Sequence, residues 1–255
     1  MASSIVNVCN YNPSTDVDYM PPKVNSMGGK SVGVLNKQLK KGTYLSTPLM
    51  LTWGANENDF DGKISYDLSI QFPRSDYATD STDKFLTAMQ QFEDKIKSDA
   101  QTNCKAWFNK TKMSSDQIDV LWSPMLKYPK GEDGEPDKNK SPTLRVKIPF
   151  YDGNFSSEVY DLDNKLVFPN EDGTSITELI TKGSNIALVM QCGGIWFAGG
   201  KFGVTWKLVQ CVVKPKATIG GKCHIVLSEE DKEAASKNGL NADDETSDPD
   251  TVKET

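Results

Sequence analysis

The clearest signal along the chain is a period of two. In "KISYDLSIQF", Ile64, Tyr66, Leu68, Ile70 and Phe72 alternate with Lys63, Ser65, Asp67, Ser69 and Gln71, the pattern of a strand with one buried and one solvated face. "TLRVKIPF" repeats it, with Leu144, Val146, Ile148 and Phe150 in one phase and Thr143, Arg145 and Lys147 in the other. Between these segments the period lengthens. Phe85, Met89, Phe92, Ile96, Ala100, Cys104 and Trp107 recur at helical spacing, so one amphipathic helix is expected over about residues 82–108. Shorter strands are expected near residues 159–162 and 165–168, followed by the pair "NIALVMQC" and "FGVTWKLVQCVV". Residues 127–141, "KYPKGEDGEPDKNKS", are charged and broken by Pro and Gly, and read as an exposed loop.

Short alternating strands interrupted by a single long helix predict a mainly β, α+β fold: a small antiparallel five-stranded barrel of the OB-fold type with a helix inserted between strands. The expected organisation is an extended N-terminal arm over residues 1–45, the barrel over 46–228 and a disordered acidic tail over 229–255. That tail holds ten Asp or Glu against three Lys, leaving 25 acids and 26 bases in the rest of the chain. The formal charge of −6 therefore belongs to the tail, and the body is nearly neutral and slightly basic.

Catalytic constellations are sparse. His224 is the only histidine, and neither a G-x-S-x-G elbow nor a Cys partner accompanies it. "MGGKS" resembles half of a phosphate-binding loop, but Val24 stands where the first glycine is required. Five scattered cysteines without C-x-x-C spacing read as reduced thiols rather than zinc ligands or disulfides. The expectation is a non-enzyme without metal or cofactor. No apolar run is long enough to cross a membrane as a helix, and the start lacks the pattern of a secretory signal, so an intracellular protein is expected.

The unusual segment is "GGIWFAGGKFGVTWKLVQ" at residues 193–210. Trp196 and Phe197 lie between glycine pairs, which reads as a hairpin tip carrying exposed rings. The alternation favours Trp206 as core, with stacking on a base left open for it. Lys201 and Lys207 flank this hairpin, Arg145 and Lys147 fill the polar phase of another strand, and "MLKYPKG" adds Lys127, Tyr128 and Lys130. Rings beside cations are what binding an unpaired nucleic acid strand requires, because bases stack and phosphates attract lysine. Only two of the 29 basic residues are arginines, which favours point-charge contact with phosphate over bidentate reading of bases.

The order "YDLSIQFP", long helix, "LKYP", "TLRVKIPFYD", "VYDLDNKLVFP", "KGSNIALVMQCGGIWFAGGKFGVTWKLVQCVVKP" and acidic tail resembles the single-stranded DNA-binding proteins of large nucleocytoplasmic DNA viruses. These in turn resemble the OB-fold single-strand binders of short-tailed phages. The resemblance implies sequence-independent coating of single strands in viral DNA replication, recombination and repair, at a viral replication site in the host nucleus or a cytoplasmic factory. It further implies contact with a viral polymerase or helicase through the acidic tail, and leaves self-association open. This chain departs from the phage pattern by ending "DTVKET" rather than in an aromatic residue. The rival reading is a virion structural or protein-interaction protein with a β-barrel or sandwich fold, its exposed rings serving as a protein-binding patch.

One prediction follows from charge alone. Deleting residues 229–255 removes ten acids and three lysines and turns a formal charge of −6 into +1. A tethered polyanion competes with DNA at high effective concentration, so the truncated chain is expected to bind single strands more tightly at low salt. The gap should close as salt shortens the screening length toward about 8 Å. Equal affinities at low salt, read by fluorescence anisotropy, would exclude self-competition.

Overall fold

Alternating strands dominate the computed structural model, which describes residues 4–26, 28–171, 173–215 and 225–238. The chain divides into two units, Met1–Lys216 and Ala217–Thr255. In the first, β1 (Met50–Phe60) and β2 (Lys63–Gln71) form an antiparallel hairpin, and β3 (Thr143–Ile148) pairs antiparallel with β2. The longest strands, β4 (Asn185–Ala198) and β5 (Lys201–Lys214), form a second hairpin. Parallel pairing joins β3 to β5 at Val146↔Trp206 and Lys147↔Lys207, and β4 meets β1 at Asn185↔Leu51 and Ile186↔Met50.

These five strands belong to a sheet of thirteen among the described residues. The small antiparallel five-stranded barrel expected from the sequence is therefore corrected in extent and in pairing, since one of its contacts, β3 to β5, is parallel. The fold is mixed α+β and mostly strand, with a central group wrapped through two short seams and extended by further short strands. The reason lies in segments without a readable period. Ile5–Asn7 pairs in parallel with Tyr44–Ser46, Tyr44–Ser46 pairs with β4, and Lys30–Val32 pairs with β4 farther along.

Residues 1–45, read from the sequence as an extended arm with little regular structure, carry short strands and pack against the rest of the unit. Val8, Val32 and Leu45 are wholly buried, Tyr11 lies 6.3 Å from Phe92, and Tyr19 meets Trp107 edge-on at 5.1 Å. The arm wraps α1 (Asp80–Thr102), whose first turn is closed by a capping box between Thr79 and Thr82. Phe85, Ala88, Met89, Phe92, Ile96 and Ala100 form its buried stripe, as the helical spacing predicts. The predicted single helix breaks at Asn103, and α2 (Cys104–Phe108) ends on Asn109 in the left-handed region.

Beneath α1 the inward phase of the strands supplies the core: Leu68 and Ile70, Leu144 and Val146, Ile186 and Met190, Trp206 and Leu208. Trp206 is 1% exposed, stands 5.5 Å from Phe92, and donates its indole N–H to Met125 Sδ at 3.2 Å. It is core, which resolves the alternative left open above. Cys192 and Cys211 are buried among these residues, and burial pushes both thiols up to about 12. Among the described residues, no helix is long and apolar enough to cross a membrane.

In the second unit, Glu229–Asn238 is an α-helix whose first turn is held by Ser228, its Oγ accepting the amide of Asp231 at 3.1 Å. Expected disorder is corrected for these ten residues, because three acids in the first turn complement the helix dipole. The rest of the acidic tail, like His224, lies outside the described residues.

Two glycine pairs organise the β4–β5 hairpin. Gly199 and Gly200, both with positive φ (+55° and +73°), make the two-residue turn. Gly193 and Gly194 fall where the register shifts between Cys192 and Ile195. At Gly194, φ is +87° and a Cβ would lie 2.6 Å from the Val32 carbonyl oxygen. Gly194→Ala is therefore expected to destabilise the protein more than Gly62→Ala, where φ is +77° but a Cβ would meet nothing within 4 Å. The excess should be about 1–3 kcal/mol, the cost of overpacking. Equal losses in urea denaturation would mean that the approach to Val32 costs nothing.

Candidate nucleic-acid interface

Because Leu144, Val146, Ile148, Trp206 and Leu208 point inward, the residues between them point outward. Strand register then arranges those outward side chains in rows. Lys127, on the short strand Leu126–Lys127, pairs with Thr143, and Thr143 pairs with Gln71. Arg145 stands opposite Ser69. Asp67 is opposite Lys147, Lys147 is beside Lys207, and Lys207 is opposite Gln191. Four of the cations singled out in the sequence, Lys127, Arg145, Lys147 and Lys207, thus share the outer surface of β2, β3 and β5.

They are not equivalent. No ion pair or hydrogen bond engages the side chains of Lys127, Lys147 or Lys207 among the described residues. The stem of Lys207 runs over Gly193, where a Cβ would lie 3.2 Å from its Cε. Arg145, by contrast, is held by Asp67, a 6%-exposed carboxylate that also accepts from Asn58 Nδ2 at 2.7 Å. The hydrogen bond to Asp67 raises the Arg145 pKa further, so this guanidinium is fixed to the sheet and its charge is partly offset at close range.

The expected hairpin tip divides differently. Trp196 and Phe197 lie within β4, not in the turn, and being adjacent they point to opposite faces. Phe197 points inward, packing at 5.4 Å from Phe108 and 6.3 Å from Trp107, stacked 6.0 Å from Phe202, with Lys30 Nζ 5.6 Å from its centroid. It is a half-buried ring at the edge of the core. Trp196 points outward. It pairs across the hairpin with Gly203, where an added Cβ would strike its ring at 2.8 Å, so the indole lies against the glycine backbone. The same row continues through Ser31 to Lys23.

Lys201, an exposed residue, has a local partner. Its Nζ donates to the Val120 carbonyl at 2.5 Å, near the C-terminus of α3 (Ser115–Leu121), where a cation complements the helix dipole. Tyr128 hydrogen-bonds through its hydroxyl to Gln90 Nε2 at 3.0 Å, which ties it to α1. Lys130 lies on the charged loop, where its backbone bridges to Pro136.

A ring that the sequence reading passed over joins the outer face from the other side. Trp53, 45% exposed, donates Nε1–H to Gln71 Oε1 at 3.1 Å, and Gln71 belongs to the row of Thr143 and Lys127. Leu51 and Trp53 fall in the phase opposite to the buried Met50 and Thr52, and with Leu51 apolar and Thr52 polar the sequence does not mark that phase as the exposed one. The outer surface therefore combines Trp53, three lysines with unengaged ammonium groups, one sheet-bound arginine and Trp196. Among the described residues no three His, Cys, Asp or Glu side chains gather as a metal site.

No family model and no curated sequence matches the chain. Solved structures similar to it include the single-stranded DNA-binding protein from bacteriophage Enc34 in complex with ssDNA, at 11% identity and TM-score 0.44, covering 78% of this chain and 97% of that one. Another is gp2.5, a single-stranded DNA-binding protein encoded by bacteriophage T7, at 12% identity and TM-score 0.39, covering 72% and 98%.

The opposite placement of the two neighbouring rings is testable. Phe197→Ala is expected to cost about 2–4 kcal/mol, as for truncating a largely packed aromatic, and Trp196→Ala clearly less. Chemical denaturation measures both, and equal losses would contradict the assignment of the two faces.

Proposed function

We propose that the chain binds single-stranded DNA without reading its sequence, across the outer surface of β2, β3 and β5. The observation that carries this reading is the register that sets Lys147 beside Lys207, with Lys127 and the rings Trp53 and Trp196 on the same outward phase. Ammonium groups meet phosphates as point charges, and indole faces accept any base. Arg145, the one cation here with a fork suited to bidentate contact, is already held by Asp67. Such a surface has the means to hold a strand and little with which to distinguish bases.

The setting proposed is viral DNA replication, recombination and repair at a replication site inside the host cell, in a virus of the large nucleocytoplasmic kind or a phage. Polymerase or helicase recruitment by the acidic segment and self-association are part of the same proposal. It assigns no catalytic step.

A single-strand binder of this kind releases counterions for each phosphate it meets. Lys147→Ala and Lys207→Ala should each flatten the slope of log affinity against log salt by about 0.7, with single strands favoured over duplex of the same sequence. Tight duplex binding without single-strand preference, or unaltered slopes in both variants, would overturn the reading.

A further inference from the structure

Beyond Gln71 the outer face runs into a cleft of about 920 Å³. Its walls include Leu49, Leu51 and Trp53 around β1, the segment from Phe72 to Tyr77 after β2, and Asn139 to Ser141 before β3. Leu49, Leu51, Trp53 and Tyr77 are 49%, 41%, 45% and 78% exposed, so large apolar groups face solvent here. Such a concentration needs an occupant.

The ring in this cleft is held in position. Trp53 donates to Gln71, and Gln71 Nε2 donates in turn to the carbonyls of Phe72, Ser141 and Pro142 at 3.0, 3.2 and 3.1 Å. Lys182 Nζ stands over the indole, 4.8 Å from its centroid. Tyr77 lies on the Ser75–Tyr77 turn, and no hydrogen bond engages its hydroxyl among the described residues. Arg74 and Lys140 supply positive charge on the rim against the single carboxylate of Asp76. Lys140 is paired with Asp137 at 3.5 Å, whereas Arg74 makes no ion pair among the described residues.

We infer that this cleft is a base-stacking pocket: it takes unpaired nucleobases between Trp53 and Tyr77 while Arg74 meets the adjoining phosphate. This rests on the single-strand reading above and deepens it. Continuity argues for that occupant, since Gln71 both orients Trp53 and stands in the row of Thr143 and Lys127. Charge agrees at Arg74, which makes no ion pair among the described residues and is the rim cation open to a phosphate, Lys140 being offset by Asp137. A duplex keeps its base faces within its own stack and presents none to the cleft, so the pocket would discriminate single from double strands, not one base from another.

The test crosses ring with base. Full-length protein, Trp53→Ala and Tyr77→Ala are each titrated with oligothymidylate and with an abasic sugar-phosphate oligomer of equal length. Wild type should prefer the base-bearing strand by about tenfold or more, and each substitution should remove most of that preference while changing abasic affinity less than about twofold. Tyr77→Ala decides the matter if Trp53→Ala melts early, since Tyr77 is on an exposed turn. Ring variants that keep the preference, or that weaken both ligands equally, would overturn the pocket, including the case in which the cleft holds an apolar peptide instead. If Lys147→Ala still weakens binding, the broader reading survives that result. If wild type binds neither oligomer, both fall.

Discussion

The burial of Trp206 is the constraint on which the rest of the surface depends. A strand has two faces, and a slip of one residue exchanges them. With its ring against Phe92 and its N–H on Met125 Sδ, Trp206 cannot turn outward without losing a large buried area and leaving an indole donor unpaired. That fixes Thr205 and Lys207 on the outer phase of β5, and pairing with β3 then sets Lys147 beside Lys207. The position of the lysines is in this sense a consequence of core packing on the opposite side of the sheet.

Electrostatics within the face follows from the same register. Two lysines side by side repel, and Asp67, directly opposite Lys147, lies close enough to moderate that repulsion while binding Arg145. A buried carboxylate is stable in that role with two donors, and Arg145 and Asn58 both meet its Oδ2. The arrangement leaves a surface whose mobile charges are ammonium groups and whose planar cation is tethered.

Much of this was legible in the sequence where periodicity was strong. β2, β3, β5 and the stripe of α1 could be read because their apolar residues recur without interruption. β1 could not, since Gly54 and a polar run from Asn56 to Asp59 break its alternation where the register with β2 shifts. The first 45 residues contribute strands of two or three residues between Pro and Gly, too short to show any period. Trp196 and Phe197 were grouped because both adjoin glycines, but the glycine pairs have different jobs: one turns the chain, the other admits a neighbouring backbone. Only the strand phase separates the two rings, and the irregularity at Gly193–Gly194 hides that phase from a reading of the sequence. Arg145 and Lys201 were correctly seen as cations, but their local partners Asp67 and Val120 lie 78 and 81 residues away in the chain.

The close approach at Gly194 has a consequence for how this protein can be divided. Val32 presents its carbonyl to a glycine more than one hundred and fifty residues later in the chain, and Lys30 nearby closes the end of α2 by donating to the carbonyls of Ala106 and Trp107 at 2.7 and 2.8 Å. The opening segment is thus a structural clasp between the last hairpin and the helices. A shortened chain begun at residue 46 would not be a trimmed version of the same domain. It would expose one edge of β4, leave carbonyls at a helix end without their cation, and uncover the surface that Val8, Tyr11 and Leu45 now fill.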